Sequence, residues 1–134
     1  MYVYIDNVRM TLTGCTFSEN TATYDGGGLY VNTDNYDVSL DSCVFTENSA
    51  ERNGGGVYLS TSNLGMELMN ATFSGNVAVS GSGGALAAAF YNSDMVVRES
   101  MFFNNDAGLA GKLGAVNLHN ICNVIRISTI YCYL

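Results

Sequence analysis

Four phenylalanines set the frame of this chain. Phe17, Phe45, Phe73 and Phe102 recur at intervals of 28, 28 and 29 residues. Each opens a Phe-x-x-Asn motif that closes on Asn20, Asn48, Asn76 or Asn105, and Ala22, Ala50, Ala78 and Ala107 stand two residues further on. A glycine-rich motif alternates with this one: Gly26-Gly27-Gly28-Leu29-Tyr30, Gly54-Gly55-Gly56-Val57-Tyr58, Gly83-Gly84-Ala85-Leu86, and a weaker Gly114-Ala115-Val116. A third series is Asn7, Asn35, Asn63 and Asn92. A unit this short cannot bury its apolar face alone, so copies must stack on one another.

The pattern inside each unit is that of short strands. Val38-Ser39-Leu40, Cys43-Val44-Phe45, Met66-Glu67-Leu68 and Leu29-Tyr30-Val31 alternate with period two. Clusters of Asp, Ser, Asn and Gly interrupt them, and no window carries a 3.6-residue stripe of helix formers. About three strands and three turns per unit account for the period. The expected fold is therefore an all-β parallel solenoid. Placing Met1 in phase with Leu29 aligns Tyr2 with Tyr30, Val3 with Val31, Asp6 with Asp34 and Leu12 with Leu40. About five coils result, at 1–28, 29–56, 57–84 and 85–114, with a partial coil at 115–134. Met1 then sits just past the place of a glycine triplet, so the chain reads as one solenoid domain and as a piece of a longer one. Open strand edges at its ends would favour self-association.

Stacking puts equivalent residues ~4.8 Å apart on successive coils. Phe17, Phe45, Phe73 and Phe102 are expected to form a buried aromatic column. The series from Asn20 and from Asn7 are expected to form amide ladders at turns, and the glycines to supply turn conformations closed to other residues. The segment from Leu40 to Ala50 also fits a leucine-rich-repeat template, the alternative fold. Against it, the stretch after each asparagine holds three glycines and then Tyr, Val, Leu and Thr, which favour strands over a helix.

Charge narrows the partners. Twelve acids against five bases give a net charge of −7. Phosphates demand a basic face, so nucleic acid and anionic membrane surfaces are poor matches. The longest plainly apolar stretch, residues 84–91, is too short to span a bilayer. No signal peptide is visible.

Candidates for chemistry are few. The cations Arg9, Arg52, Arg98, Lys112 and Arg126 fall at different phases of the repeat. Asp34, Asp37 and Asp41 are close in sequence and Asp6 stacks on Asp34, which offers a weak Ca²⁺ patch at Asp6, Asp34 and Asp37. A solvated acidic turn is the favoured reading. His119, the sole histidine, lies where the repeat decays and reads as structural or surface. Of the four cysteines, Cys15, Cys43, Cys122 and Cys132, the first two share a phase on adjacent coils, within disulfide range. Ala71 and Ser100 fill the same slot in later coils, so a free stacked pair is favoured over a bridge. Tyr2, Tyr30 and Tyr58 form another series, with Leu86 expected next. If Leu29 and Val31 point inward, these tyrosines face out, as a strip able to stack on sugar rings or on a protein. Asn70-Ala71-Thr72 is the one N-glycosylation sequon.

The paired Phe-x-x-Asn and Gly-Gly-Ala/Gly-Leu/Val motifs resemble the repeats of polymorphic outer-membrane proteins and kindred right-handed parallel β-helices, over nearly all of residues 1–116. That resemblance implies an elongated structural or adhesive module, extracellular or at a cell surface, with carbohydrate or protein as partner and no cofactor. Right-handed β-helices also include pectate lyases, polygalacturonases and alginate epimerases. The competing expectation is therefore a fragment of such an enzyme, which would need carboxylates and a base converging on one outer face. A flat ice-binding face would want regular Thr-x-Thr columns, which are missing.

Overall fold

A computed structural model describes residues 1–108 in full, together with the backbone of the strands Val116–Leu118 and Arg126–Tyr133. Lys112, His119 and Cys122 lie outside the described residues, and for Arg126 and Cys132 only the strand position is described.

The chain winds as a parallel β-solenoid. One sheet stacks Tyr2–Val3, Leu29–Val31, Val57–Leu59, Leu86–Ala88 and Val116–Leu118, all parallel. These strands mark about four turns, against the five coils, one partial, expected from sequence. Each of the first three coils continues through three more short strands. In the second coil they are Ser39–Asp41, Val44–Thr46 and Ser49–Ala50. Four strands per coil therefore replace the three expected: the added one is the short Ser49–Ala50, which left-handed Glu47 separates from Val44–Thr46. In the fourth coil the second and third strands run together as Val96–Phe103, on which Arg126–Tyr133 pairs with Val97 opposite Ile127.

Among the described residues every positive φ falls on one of five columns. They are Asp6, Asp34, Ser62 and Tyr91; Arg9, Asp37, Gly65 and Asp94; Gly14, Ser42, Asn70 and Glu99; Glu19, Glu47, Gly75 and Asn104; and Gly26, Gly54 and Gly83. These columns are the corners of the coil. Asp and Asn enter the left-handed region at little cost, and acidic and amide residues make nine of the thirteen non-glycine corners. Within each triplet only the first glycine is left-handed. The second answers a different need: a Cβ on Gly55 would lie 2.4 Å from the Gly84 carbonyl oxygen and 2.5 Å from that of Val77. The extra residue that stretches the third interval to 29 sits between Ala78 and Ser82. Ala78 still pairs with Ala50, whereas Ser82 already bonds to Asn53.

The inward columns form one continuous core. Leu29, Val57 and Leu86, then Leu40, Leu68 and Val97, and then Phe45, Phe73 and Phe102 are fully or almost fully buried, with Phe17 partly buried against them. The rings of Phe17, Phe45, Phe73 and Phe102 stack at centroid distances of 4.7, 4.8 and 4.8 Å, within 7° of parallel. Face-to-face stacking is not the preferred aromatic geometry; the strand spacing imposes it.

The asparagines satisfy the turns. Asn20, Asn48 and Asn76 each send their backbone N–H and their Nδ2 to the Oδ1 of the next asparagine, at 2.8–3.1 Å, ending on Asn105. Asn48 and Asn76 also donate Nδ2 to the carbonyls of Phe17 and Phe45. The series Asn7, Asn35, Asn63 and Asn92 repeats the device. Among the described residues no buried side-chain nitrogen or oxygen lacks a partner, as a core this regular requires.

Candidate functional site

In the second and third coils the first strand buries its outer two residues and turns the middle one outward. That alternation builds the tyrosine column. Tyr2 pairs with Tyr30 and Tyr30 with Tyr58. The Tyr2 and Tyr30 rings stack at 4.9 Å and 9°, while Tyr30 and Tyr58 are 5.3 Å apart and tilted by 46°. Tyr2 is 56% exposed; Tyr30 and Tyr58 are half-buried. The next member is Ala87, not Leu86, since Leu86 pairs with Val57. The inserted residue before Gly83 shifts the phase by one, and a shift of one exchanges the two faces of a strand.

Beside the column lies an open groove of about 770 Å³, whose lining includes Tyr2, Tyr30, Tyr24, Asp25, Arg52, Thr21 and Thr23. Tyr24 and Arg52 are 28 residues apart and therefore neighbours; the guanidinium lies over the Tyr24 ring, 5.0 Å from its centre. Arg52 Nη2 donates to Asp25 Oδ2 at 3.2 Å. Asp25 Oδ1 accepts from the backbone N–H and Nδ2 of Asn53 at 3.0 and 2.9 Å, and Asn53 Oδ1 accepts from the Ser82 N–H. This is a third ladder, built on Asp25, Asn53 and Ser82, which the motif search passes over because three residue types share it. Its signal is positional: each immediately precedes a left-handed glycine. The Tyr58 phenol is pushed above its usual range first by burial, then by the Asp25 carboxylate and by Tyr30.

Exposed rings beside hydroxyls and a guanidinium can stack on the C–H face of a sugar or on apolar protein surface, and can hydrogen-bond its rim. The remaining described cations do not join them. Arg98 is tied to Glu67 at 3.0 Å on another face, and Arg9 sits on a corner.

The aspartates belong to corners. Asp6, Asp34 and Asp37 all have positive φ, at 60°, 54° and 53°, and Asp37 Oδ1 closes over Gly65. Among the described residues no group of three or more His, Cys, Asp or Glu side chains is placed to hold a metal ion, so the three do not converge as a Ca²⁺ ligand set. Cys15 and Cys43 are free thiols. Cys43 Sγ donates to the carbonyls of Leu12 and Asp41 at 3.4 and 3.5 Å, and Cys15 Sγ to that of Thr13. Burial raises the Cys43 thiol above its usual range. In the fourth coil Ser100 does more than fill this slot: its hydroxyl accepts from the Ala71 N–H and donates to the Arg98 carbonyl.

Stacked parallel coils with asparagine ladders and an aromatic column agree with one further observation. The family described as right-handed β-helix region matches residues 2–102. The chain belongs to that family. No curated protein and no solved structure matches it significantly. Membership fixes this β-helix as an architecture; its surfaces must carry the rest. No helix among its described residues is long and apolar enough to cross a membrane.

Proposed function

We propose that this β-helix is a non-enzymatic structural or adhesive module of an extracellular or cell-surface protein, and that the tyrosine column with its groove is the contact face for carbohydrate. The observation that carries the reading is the exposed, coil-to-coil stack of Tyr2, Tyr30 and Tyr58 beside Tyr24 and Arg52. Outward-facing tyrosine rings on successive coils offer apolar faces and phenol hydroxyls to a sugar chain. The carboxylate beside them is bound up in structure: Asp25 is held by Asn53 and Arg52. A carboxylate occupied in this way is a weak general acid or base.

The test is a glycan array run with Ca²⁺ present, alongside product analysis on pectate and alginate. Binding without cleavage, reduced at least tenfold by Tyr30→Ala and Tyr58→Ala, is the expected result. Cleavage or epimerisation would replace the reading with that of a lyase or epimerase fragment. Binding untouched by either variant would move the contact face elsewhere.

A further inference from the structure

We propose that a second face of the solenoid docks a protein segment of alternating apolar and basic residues. Val8, Tyr36, Leu64 and Ser93 pair in succession as isolated parallel bridges, one per coil. Their neighbours in the chain, Asn7, Asn35, Asn63 and Asn92, turn inward as a ladder, so this column turns outward. Val8 is 63%, Tyr36 40% and Leu64 37% exposed. Two other outward columns are polar through the first three coils: Thr11, Ser39 and Glu67, and Ser18, Thr46 and Ser74. Three bulky apolar side chains in succession on an outward column are therefore an unspent hydrophobic surface. Ile5 in the first coil and Phe90 and Tyr91 in the fourth are also exposed.

Charge selects the occupant. The corner columns on either side of the ridge bring Asp6 and Asp34 to one flank and Asp37 and Asp94 to the other, with Arg9 the one cation among them. Among the described residues none of these four carboxylates forms an ion pair; the two bridges present engage Asp25 and Glu67. A second copy of the chain would set this acidic rim against itself, and an anionic membrane or nucleic acid would be repelled. A segment with apolar residues for the ridge and lysine or arginine for both flanks meets both features. Val8, Tyr36 and Leu64 do not line the groove beside the tyrosine column, so substitutions on the ridge leave the groove's residues in place.

The test uses three fluorescein-labelled ten-residue peptides against the intact chain: lysine alternating with valine and tyrosine, the same with glutamate for lysine, and the same with serine for the apolar residues. Only the first is expected to bind. Its affinity should fall at least tenfold with Tyr36→Ser/Leu64→Ser, and with Asp34→Asn/Asp37→Asn, whose asparagines keep the left-handed corners. Glycan binding should be unchanged in both variants. Should the serine pair fail to fold, Val8→Thr serves in its place. The proposal is overturned by equal binding of the serine peptide, which would be counter-ion attraction alone. It is equally overturned by affinity that the variants leave intact, by no binding at millimolar peptide, or by a dimer in light scattering that Tyr36→Ser/Leu64→Ser dissolves.

Discussion

At the scale of single residues the fold rests on amides that have no alternative partner. Asn76, itself fully buried, accepts two hydrogen bonds from Asn48 and donates two to Asn105 and one to the Phe45 carbonyl. Asn76→Ala keeps the backbone donor but strands the two donors of Asn48. Each buried group left unpaired costs about 1–3 kcal/mol, so the variant should lose roughly 2–5 kcal/mol in chemical denaturation. Asn20→Ala, at an exposed end of the same ladder, should lose under about 1.5 kcal/mol. Equal losses would mean that the ladder is ornamental. Tyr58 gives a pH dependence. Its phenol is raised in the folded state, chiefly by burial, so the folded state favours the neutral ring. The stability this contributes is complete below the ordinary phenol value of about 10 and is lost as pH rises through the raised folded value. The alkaline decline in melting temperature should therefore be shallower in Tyr58→Phe than in the parent. These roles were partly legible in sequence. The two asparagine series stand out because one residue type recurs, whereas the Asp25, Asn53 and Ser82 ladder is hidden because a carboxylate, an amide and a backbone N–H play equivalent parts.

At the scale of strands, alternation predicted which residues face inward and failed on where strands stop. Leu40, Phe45 and Ala50 are fully buried, as period two requires. The breaks between them are set by Ser42 and Glu47, both left-handed; Asp41-Ser42 marks the first in the sequence, whereas Glu47 announces no turn. Phase was readable as long as the spacing held at 28 and slipped once it became 29, which is why Leu86 was expected in the column where Ala87 stands. The phenylalanine column tests the direction of the pleat. Phe73 is fully buried between Phe45 and Phe102, whereas Phe103 is only half-buried. Phe73→Ala should cost about 3–5 kcal/mol and Phe103→Ala about 1 kcal/mol or less. A reversed order in thermal denaturation would place the wrong face inward.

At the scale of the whole molecule, coil-on-coil register does two jobs with one geometry. It closes a core that no single coil could close, and it lines up whatever points outward into columns. Both surface proposals follow from that second effect: the tyrosine strip and the acid-rimmed ridge are each a residue position repeated up the solenoid. The function was less legible than the fold because repetition identifies architecture, while a contact surface needs only a few outward residues whose partner leaves no mark on the period. The groove illustrates this. Tyr24 and Arg52 share a phase in the sequence, yet only packing shows that the guanidinium covers the ring. The central claim is the register itself, and nuclear Overhauser contacts in a methyl- and aromatic-labelled sample test it most directly. The account predicts that the Tyr30 ring contacts those of both Tyr2 and Tyr58, that Phe45 contacts both Phe17 and Phe73, and that the Asn76 side-chain amide exchanges slowly. Contacts at another spacing, or helix-type contacts in the segment after Asn48, would contradict it.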